Sequence, residues 1–78
     1  MSASHHLDAR NLLCPMPVIK LQSKVKSLSH NDVLSVTCTD PGTKHDIPAW
    51  CRLMGHDIID TTEGRNEIVF TIKVIKNL

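Results

Sequence analysis

The chain has 78 residues, 41% of them hydrophobic but with one Trp, one Phe and no Tyr, which bounds it to a single small domain over residues 1–78, with 1–4 expected to be disordered. At this size only about 60% of the unfolded surface is buried on folding, so the core is thin, a large enclosed ligand cavity is excluded, and chemistry belongs at the surface. A formal net charge of +1 and two aromatic residues exclude the basic field and the stacking platform of a nucleic-acid binder.

Hydrophobic periodicity changes several times along the chain, and the changes delimit the elements. Leu7 and Ala9 alternate with His6, Asp8 and Arg10, which predicts a short strand over His5 to Asn11. From Pro17 to Leu28 the period lengthens: Val18, Leu21, Val25 and Leu28 share one face while Lys20, Ser23, Lys24 and Ser27 take the other, the pattern of an amphipathic helix. Ser29-His30-Asn31-Asp32 is a turn cluster, and Val33 to Thr39 alternates as a strand with Leu34, Val36 and Cys38 on one side.

Asp40-Pro41-Gly42 is the next turn. Thr43 or Asp46 is placed to cap a second helix whose core face is Ile47, Trp50, Cys51 and Met54. Pro48 is then expected in the first turn of that helix, where a missing N–H costs little, and Gly55 supplies the stop. Strands over Asp57 to Thr61 and Glu67 to Ile75, joined through Glu63-Gly64-Arg65-Asn66, complete the chain. Two strand–helix–strand crossovers of one hand put both helices on one face of the sheet. The predicted fold class is an α/β two-layer sandwich, βαβαββ, with a four-stranded mixed sheet and two helices packed on one face.

The start, Met1 to Asp8, is small and polar, and no apolar run approaches the length of a membrane span, so a cytoplasmic protein without membrane contact is expected. Three cysteines without a secretion signal speak against a disulfide framework. Cys38 and Cys51 fall on the apolar stripes of their own elements and read as core. Neither Cys-x-x-Cys nor His-x-x-x-His occurs, and His5, His6, His45 and His56 are scattered, so no metal and no cofactor is expected.

Cys14 differs by its position. It stands in Leu13-Cys14-Pro15-Met16-Pro17, at the junction of the first strand and the first helix. Pro15 suits the first helical turn, which puts Cys14 at or next to the N-cap. There the helix dipole and free N–H groups favour thiolate over thiol. Pro15 and Pro17 stiffen the entry, and Pro17 occupies the place where a thioredoxin-type site needs its second cysteine. What remains is a single nucleophile that accepts a group and gives it away; the alternative is a small hydrophobe ending a strand. Lys20 and Lys24 lie one turn apart on the same helix, with Arg10 on the preceding strand. They read either as a solvated surface or as a modest positive patch that lowers the thiol pKa or orients an acidic partner.

Leu7-Asp8-Ala9-Arg10, Cys14-Pro15-Met16-Pro17, Asp40-Pro41, Asp46-Ile47-Pro48-Ala49-Trp50-Cys51 and Gly55-His56, in this order and spacing, resemble the TusA/SirA family of small sulfur-carrier proteins. The match runs from about Leu7 to Ile75. The resemblance implies a βαβαββ sandwich similar to the C-terminal domain of a bacterial translation initiation factor, and it implies that Cys14 matches the family's active cysteine. In TusA-like members that residue takes a sulfane sulfur from a cysteine desulfurase or a rhodanese-like donor and passes it to an acceptor protein. The route ends in 2-thiolation of tRNA wobble uridine in one branch, and in sulfur oxidation or molybdenum-cofactor synthesis in others.

Two residues depart from the family pattern. A Gly frequent after Ala-Arg is Asn11 here, and the acidic residue often found between the two prolines is Met16, which weakens assignment to the tRNA branch. The expectation is a sulfurtransferase working by persulfide relay, with Cys14 catalytic, Pro15 and Pro17 shaping the site, and Arg10, Met16, Lys20 and Lys24 meeting partners. No stable nucleic-acid binding is expected. The rival readings are a non-catalytic RNA- or protein-binding regulatory module on the same fold, and a redox sensor using Cys14.

Overall fold

In the computed structural model, which describes residues 3–76, six elements follow in the predicted order: β1 (Ser4–Ala9), α1 (Met16–Lys26), β2 (Val33–Cys38), α2 (Thr43–Met54), β3 (Asp57–Glu63) and β4 (Ile68–Lys73). They form one four-stranded sheet in the order β1-β2-β4-β3. β1 and β2 are parallel, as a helical crossover requires, and the other two pairings are antiparallel. The register stacks the core in rows. Leu7 lies opposite Val36 and Val36 opposite Phe70, while Ala9, Cys38 and Ile68 form the next row towards the C-terminal end of β1 and β2.

Leu34, Val36, Cys38, Phe70 and Ile72 face the helices and are fully buried, with Leu21 and Val25 from α1 and Ile47 and Cys51 from α2 closing over them. The alternate residues Ser4, His6 and Asp8 of β1 are exposed on the other face. One covered face and one open face is the two-layer sandwich, so the predicted fold class holds.

α1 begins one residue earlier than its apolar pattern. Pro17 sits in its first turn and is buried, and Lys24 and Lys26 occupy its last turn, where the dipole favours cations. It closes at Ser27, whose hydroxyl donates to the Lys24 carbonyl at 2.7 Å, and Leu28 stays buried just beyond the end. The strand ends move by one or two residues. β1 starts at Ser4, and the Ala3 N–H donates to Asp32 at 3.1 Å, so the disorder expected over 1–4 does not extend to Ala3 and Ser4; Met1 and Ser2 lie outside the described residues.

α2 departs more from expectation. Asp40-Pro41-Gly42 does not merely precede the helix but nucleates it: the Thr43 and Lys44 N–H groups donate to the Asp40 and Pro41 carbonyls, and the Thr43 hydroxyl donates to Asp40 at 2.7 Å. The N-cap is therefore Gly42, without a side-chain cap from Thr43 or Asp46. Pro48 consequently lies inside α2 rather than in its first turn. The Lys44 carbonyl, on an exposed residue, is left without its intrahelical donor. Met54, expected in the core, is 52% exposed. The helix stops at Gly55 with φ 81°, and His56 turns inward in its place, its ring 5.3 Å from that of Trp50 and its Nδ1 accepting the Ile75 N–H.

Candidate functional site

The loop from β1 to α1 and the loop from β2 to α2 leave the same end of two parallel neighbours, so the topology brings them together. Asp40 joins them. Its Oδ2 accepts the Cys14 N–H at 2.8 Å and its Oδ1 accepts the Gly42 N–H at 3.1 Å. These two backbone donors hold its carboxyl below the usual carboxylate range, with the Cys14 side chain adding to the effect. On the strand side, Asn11 adopts φ 65° and donates its N–H to the Thr39 hydroxyl at 2.8 Å. The left-handed turn explains why glycine suits this position and why asparagine is tolerated there.

Cys14 immediately precedes Pro15, the N-cap of α1, across a cis peptide bond. It is half-buried, whereas Cys38 and Cys51 are buried and their thiols are pushed up by desolvation, that of Cys51 to about 11. Its sulfur also lies against the start of α2: a Cβ added at Gly42 would stand 3.4 Å from Sγ and 3.6 Å from each Asp40 carboxylate oxygen. Only a residue without a side chain permits that approach.

The electrostatics reverse the expected activation. The Cys14 thiol is pushed up to about 12, first by its hydrogen bond to Asp46, then by desolvation, then by Asp40 through a hydrogen bond and its charge. A carboxylate accepts a hydrogen bond from the thiol and repels the thiolate, and two of them outweigh the partial charge of a helix end. Position at the helix entry was correctly legible, but the charges that decide the protonation state come from another element.

The predicted positive patch does not form around the sulfur. Arg10 is held by Asp8, with Nε and Nη2 each 3.0 Å from its carboxylate, and reaches Glu67 at 3.6 Å. Lys20 is exposed and Lys24 half-buried on α1, and the charges acting on the thiol are those of Asp46 and Asp40 alone. Pro15, Pro17 and Met16 do surround the cysteine as the motif implies. Met16 is 46% exposed, and beside it Leu13 is 75% exposed.

Between α1 and α2 an apolar groove of about 410 Å³ runs from Pro15 and Val18 to Asp46, Ala49, Trp50 and Leu53. Leu53, 82% exposed, forms its outer lip. Asp40, Asp46 and this groove are the parts that reading the residues one element at a time missed. Their signal was present, since Asp40-Pro41 and Asp46-Ile47-Pro48 belong to the stretches that carry the family resemblance. A second, more polar hollow of about 390 Å³ lies by the β3–β4 turn, lined by Asn11, Lys44, Glu63, Arg65 and Glu67, with Lys44 paired to Glu63. No helix among the described residues is long and apolar enough to cross a membrane.

Known proteins share this arrangement. The structure is similar to that of a SirA-like protein from Desulfitobacterium hafniense, with a TM-score of 0.79, 92% of this chain and 99% of that one covered, and 20% identity, which speaks for the fold. In sequence the chain is 39% identical over 67 residues to the sulfur carrier protein TusA of Pseudomonas aeruginosa, covering 86% of this chain and 85% of that protein. It is 37% identical over 67 residues to the sulfur carrier protein TusA of Pseudomonas putida, covering 86% and 84%. With the family described as sulfurtransferase TusA matching residues 5–74, and with relatives this similar along nearly their whole length, the chain belongs to the TusA family.

Proposed function

We propose that this protein is a cytoplasmic sulfur carrier in which Cys14 receives a sulfane sulfur and holds it as a persulfide. The observation that carries the reading is the contrast among the three thiols. Cys38 and Cys51 are buried in the core, while Cys14 is half-exposed between Leu13 and Met16, at the end of the molecule where the two loops meet. A relay needs one thiol that two successive proteins reach, and a thin core offers no closed pocket for anything else.

In the transfer the Cys14 sulfur attacks the outer sulfur of a donor persulfide. The donor's S–S bond breaks with its electron pair on the donor sulfur, and a new S–S bond forms on Cys14. The acceptor's thiolate then repeats the step in the opposite sense. The donor is a cysteine desulfurase or a rhodanese-like protein, and the acceptor a downstream sulfur-transfer protein, in tRNA 2-thiouridine synthesis or another sulfur-trafficking route. Pro15 and Pro17 fix the loop that presents the sulfur. Met16, Lys20 and Lys24 of α1 and Arg10 at the end of β1 are the surrounding residues that partners read. The protein acts as a sulfurtransferase only in this relay sense.

The test is intact-mass measurement after incubation with a cysteine desulfurase and cysteine, and separately with a rhodanese and thiosulfate. A gain of one sulfur atom is expected in the native chain and in Cys38→Ser, and none in Cys14→Ser, whose fold should be unchanged. Sulfur that persists in Cys14→Ser and disappears in Cys38→Ser overturns the assignment.

A further inference from the structure

The resting site contains a contradiction for a nucleophile. Its sulfur is faced by Asp46 from α2 and by Asp40 from the β2–α2 loop, both of which stabilise the protonated thiol. Docking makes this worse. Leu13, Met16 and Leu53 are exposed apolar side chains around the groove, and a partner that covers them removes the water that would solvate a thiolate while leaving both carboxylates in place.

A positive group reverses the balance, because a cation paired with Asp46 or Asp40 withdraws its charge from the sulfur and favours the anion that forms there. The chain's own cations nearby are engaged elsewhere: Arg10 with Asp8 and Glu67, and Lys44 with Glu63. His45 lines the groove beside Asp46, yet it is not among the groups acting on the thiol. The missing charge must arrive with the donor.

We propose that Asp46, with Asp40, makes Cys14 an acceptor specific for sulfur donors that carry a positive charge beside the transferring sulfur, and that this donor cation frees the Cys14 thiolate. The proposal rests on the carrier reading above and names the substrate class of the same site. Asp46 is a positioning and specificity residue here and forms no bond to the sulfur. In the step, the Cys14 sulfur bonds the donor's outer sulfur and the donor's S–S bond breaks. The Cys14 proton ends on the departing donor thiolate, so a thiol and a persulfide give a persulfide and a thiol without an oxidant or reductant. Between transfers the same carboxylates keep the empty carrier as an inert thiol, protected from adventitious oxidation.

The test uses thiol–disulfide exchange on the whole protein with two small disulfides of opposite charge, dicationic cystamine and dianionic dithiodipropionate, read as Cys14 adducts by mass. Rates are normalised to those of a neutral small thiol. The native chain should prefer cystamine by about tenfold, the effect of one unit of differential charge interaction on the thiolate population. The preference should shrink severalfold at high salt, fall severalfold in Asp46→Asn, and return in Asp46→Glu. A native preference no greater than that of the neutral thiol, or one that Asp46→Asn leaves unchanged, overturns the proposal.

The salt arm needs no variant, so the result does not depend on how Asp46→Asn folds. Exchange also needs no persulfide. A charge preference without sulfur uptake therefore defeats the carrier reading alone, and uptake on Cys14 without charge preference defeats this proposal alone.

Discussion

A thiol held by two carboxylates should be slow to alkylate, and the size of the deficit can be worked out. Raising the Cys14 value from 9.0 to about 12 lowers the thiolate fraction at pH 8 by about three decades relative to an ordinary cysteine. A more basic thiolate is a better nucleophile, and a Brønsted slope of about 0.45 returns nearly half of those decades, leaving a net deficit of about 40-fold. Solvent screens a half-exposed group, so the deficit that survives in solution should be at least about fivefold.

The assay is iodoacetamide labelling of the folded protein followed by intact mass, with a peptide spanning residues 11–17 as the reference thiol. Cys38 and Cys51 are buried, so the native chain reports a single adduct. The rate should climb with pH without levelling up to about pH 10, while the peptide levels off near its ordinary value. A plateau for the protein at or below that of the peptide would refute the reasoning, because it would mean that the dipoles at the helix starts outweigh Asp46 and Asp40.

Two further outcomes concern stability. Gly55 sits at φ 81° with nothing within 4 Å of where a Cβ would be, so Gly55→Ala costs backbone strain alone, about 1 kcal/mol. In a chain of this size that lowers the melting temperature by about 6 °C, and an unchanged melting curve would contradict the left-handed cap. Acid should weaken the fold in two stages. Burial holds the His56 imidazole below its ordinary value of 6.5, so below that pH the unfolded chain takes the proton first and stability falls. The Asp32 carboxyl is depressed by the Ser29 and Ala3 N–H groups and by His5, so its contribution is present above the ordinary carboxylate range and is lost as pH falls through it. Urea midpoints measured from neutral pH downward should show both losses, with the second absent in Asp32→Asn. A midpoint that stays flat between neutrality and about pH 5 would contradict the first stage.

Most of the architecture is legible without coordinates because it rests on period and punctuation. Val18, Leu21 and Val25 can share a face only on a helix, Leu34, Val36 and Cys38 only on a strand, and Asp40-Pro41-Gly42 marks a break wherever it occurs. Element ends were less legible. Pro48 looked like a helix start because a proline is tolerated best there, yet the Asp40 carbonyl and carboxylate supplied an earlier start that outweighed one lost bond. Met54 kept the correct spacing but lost its burial once Gly55 turned the chain and His56 took the inward place.

Cys14 was visible as the distinctive thiol because its position depends on neighbours in sequence, the prolines that open α1. Its chemical state depends on neighbours in space. Asp40 and Asp46 stand 26 and 32 residues further along the chain, and only the parallel pairing of β1 with β2 carries their loop and helix to the sulfur. The charge count belongs to the same division. A net charge of +1 is a property of the sequence, but its distribution, with Arg10 tied to acidic side chains and two carboxylates left facing the thiol, is decided by tertiary structure. Electrostatic interaction depends on distance through the folded molecule, and sequence separation does not report that distance.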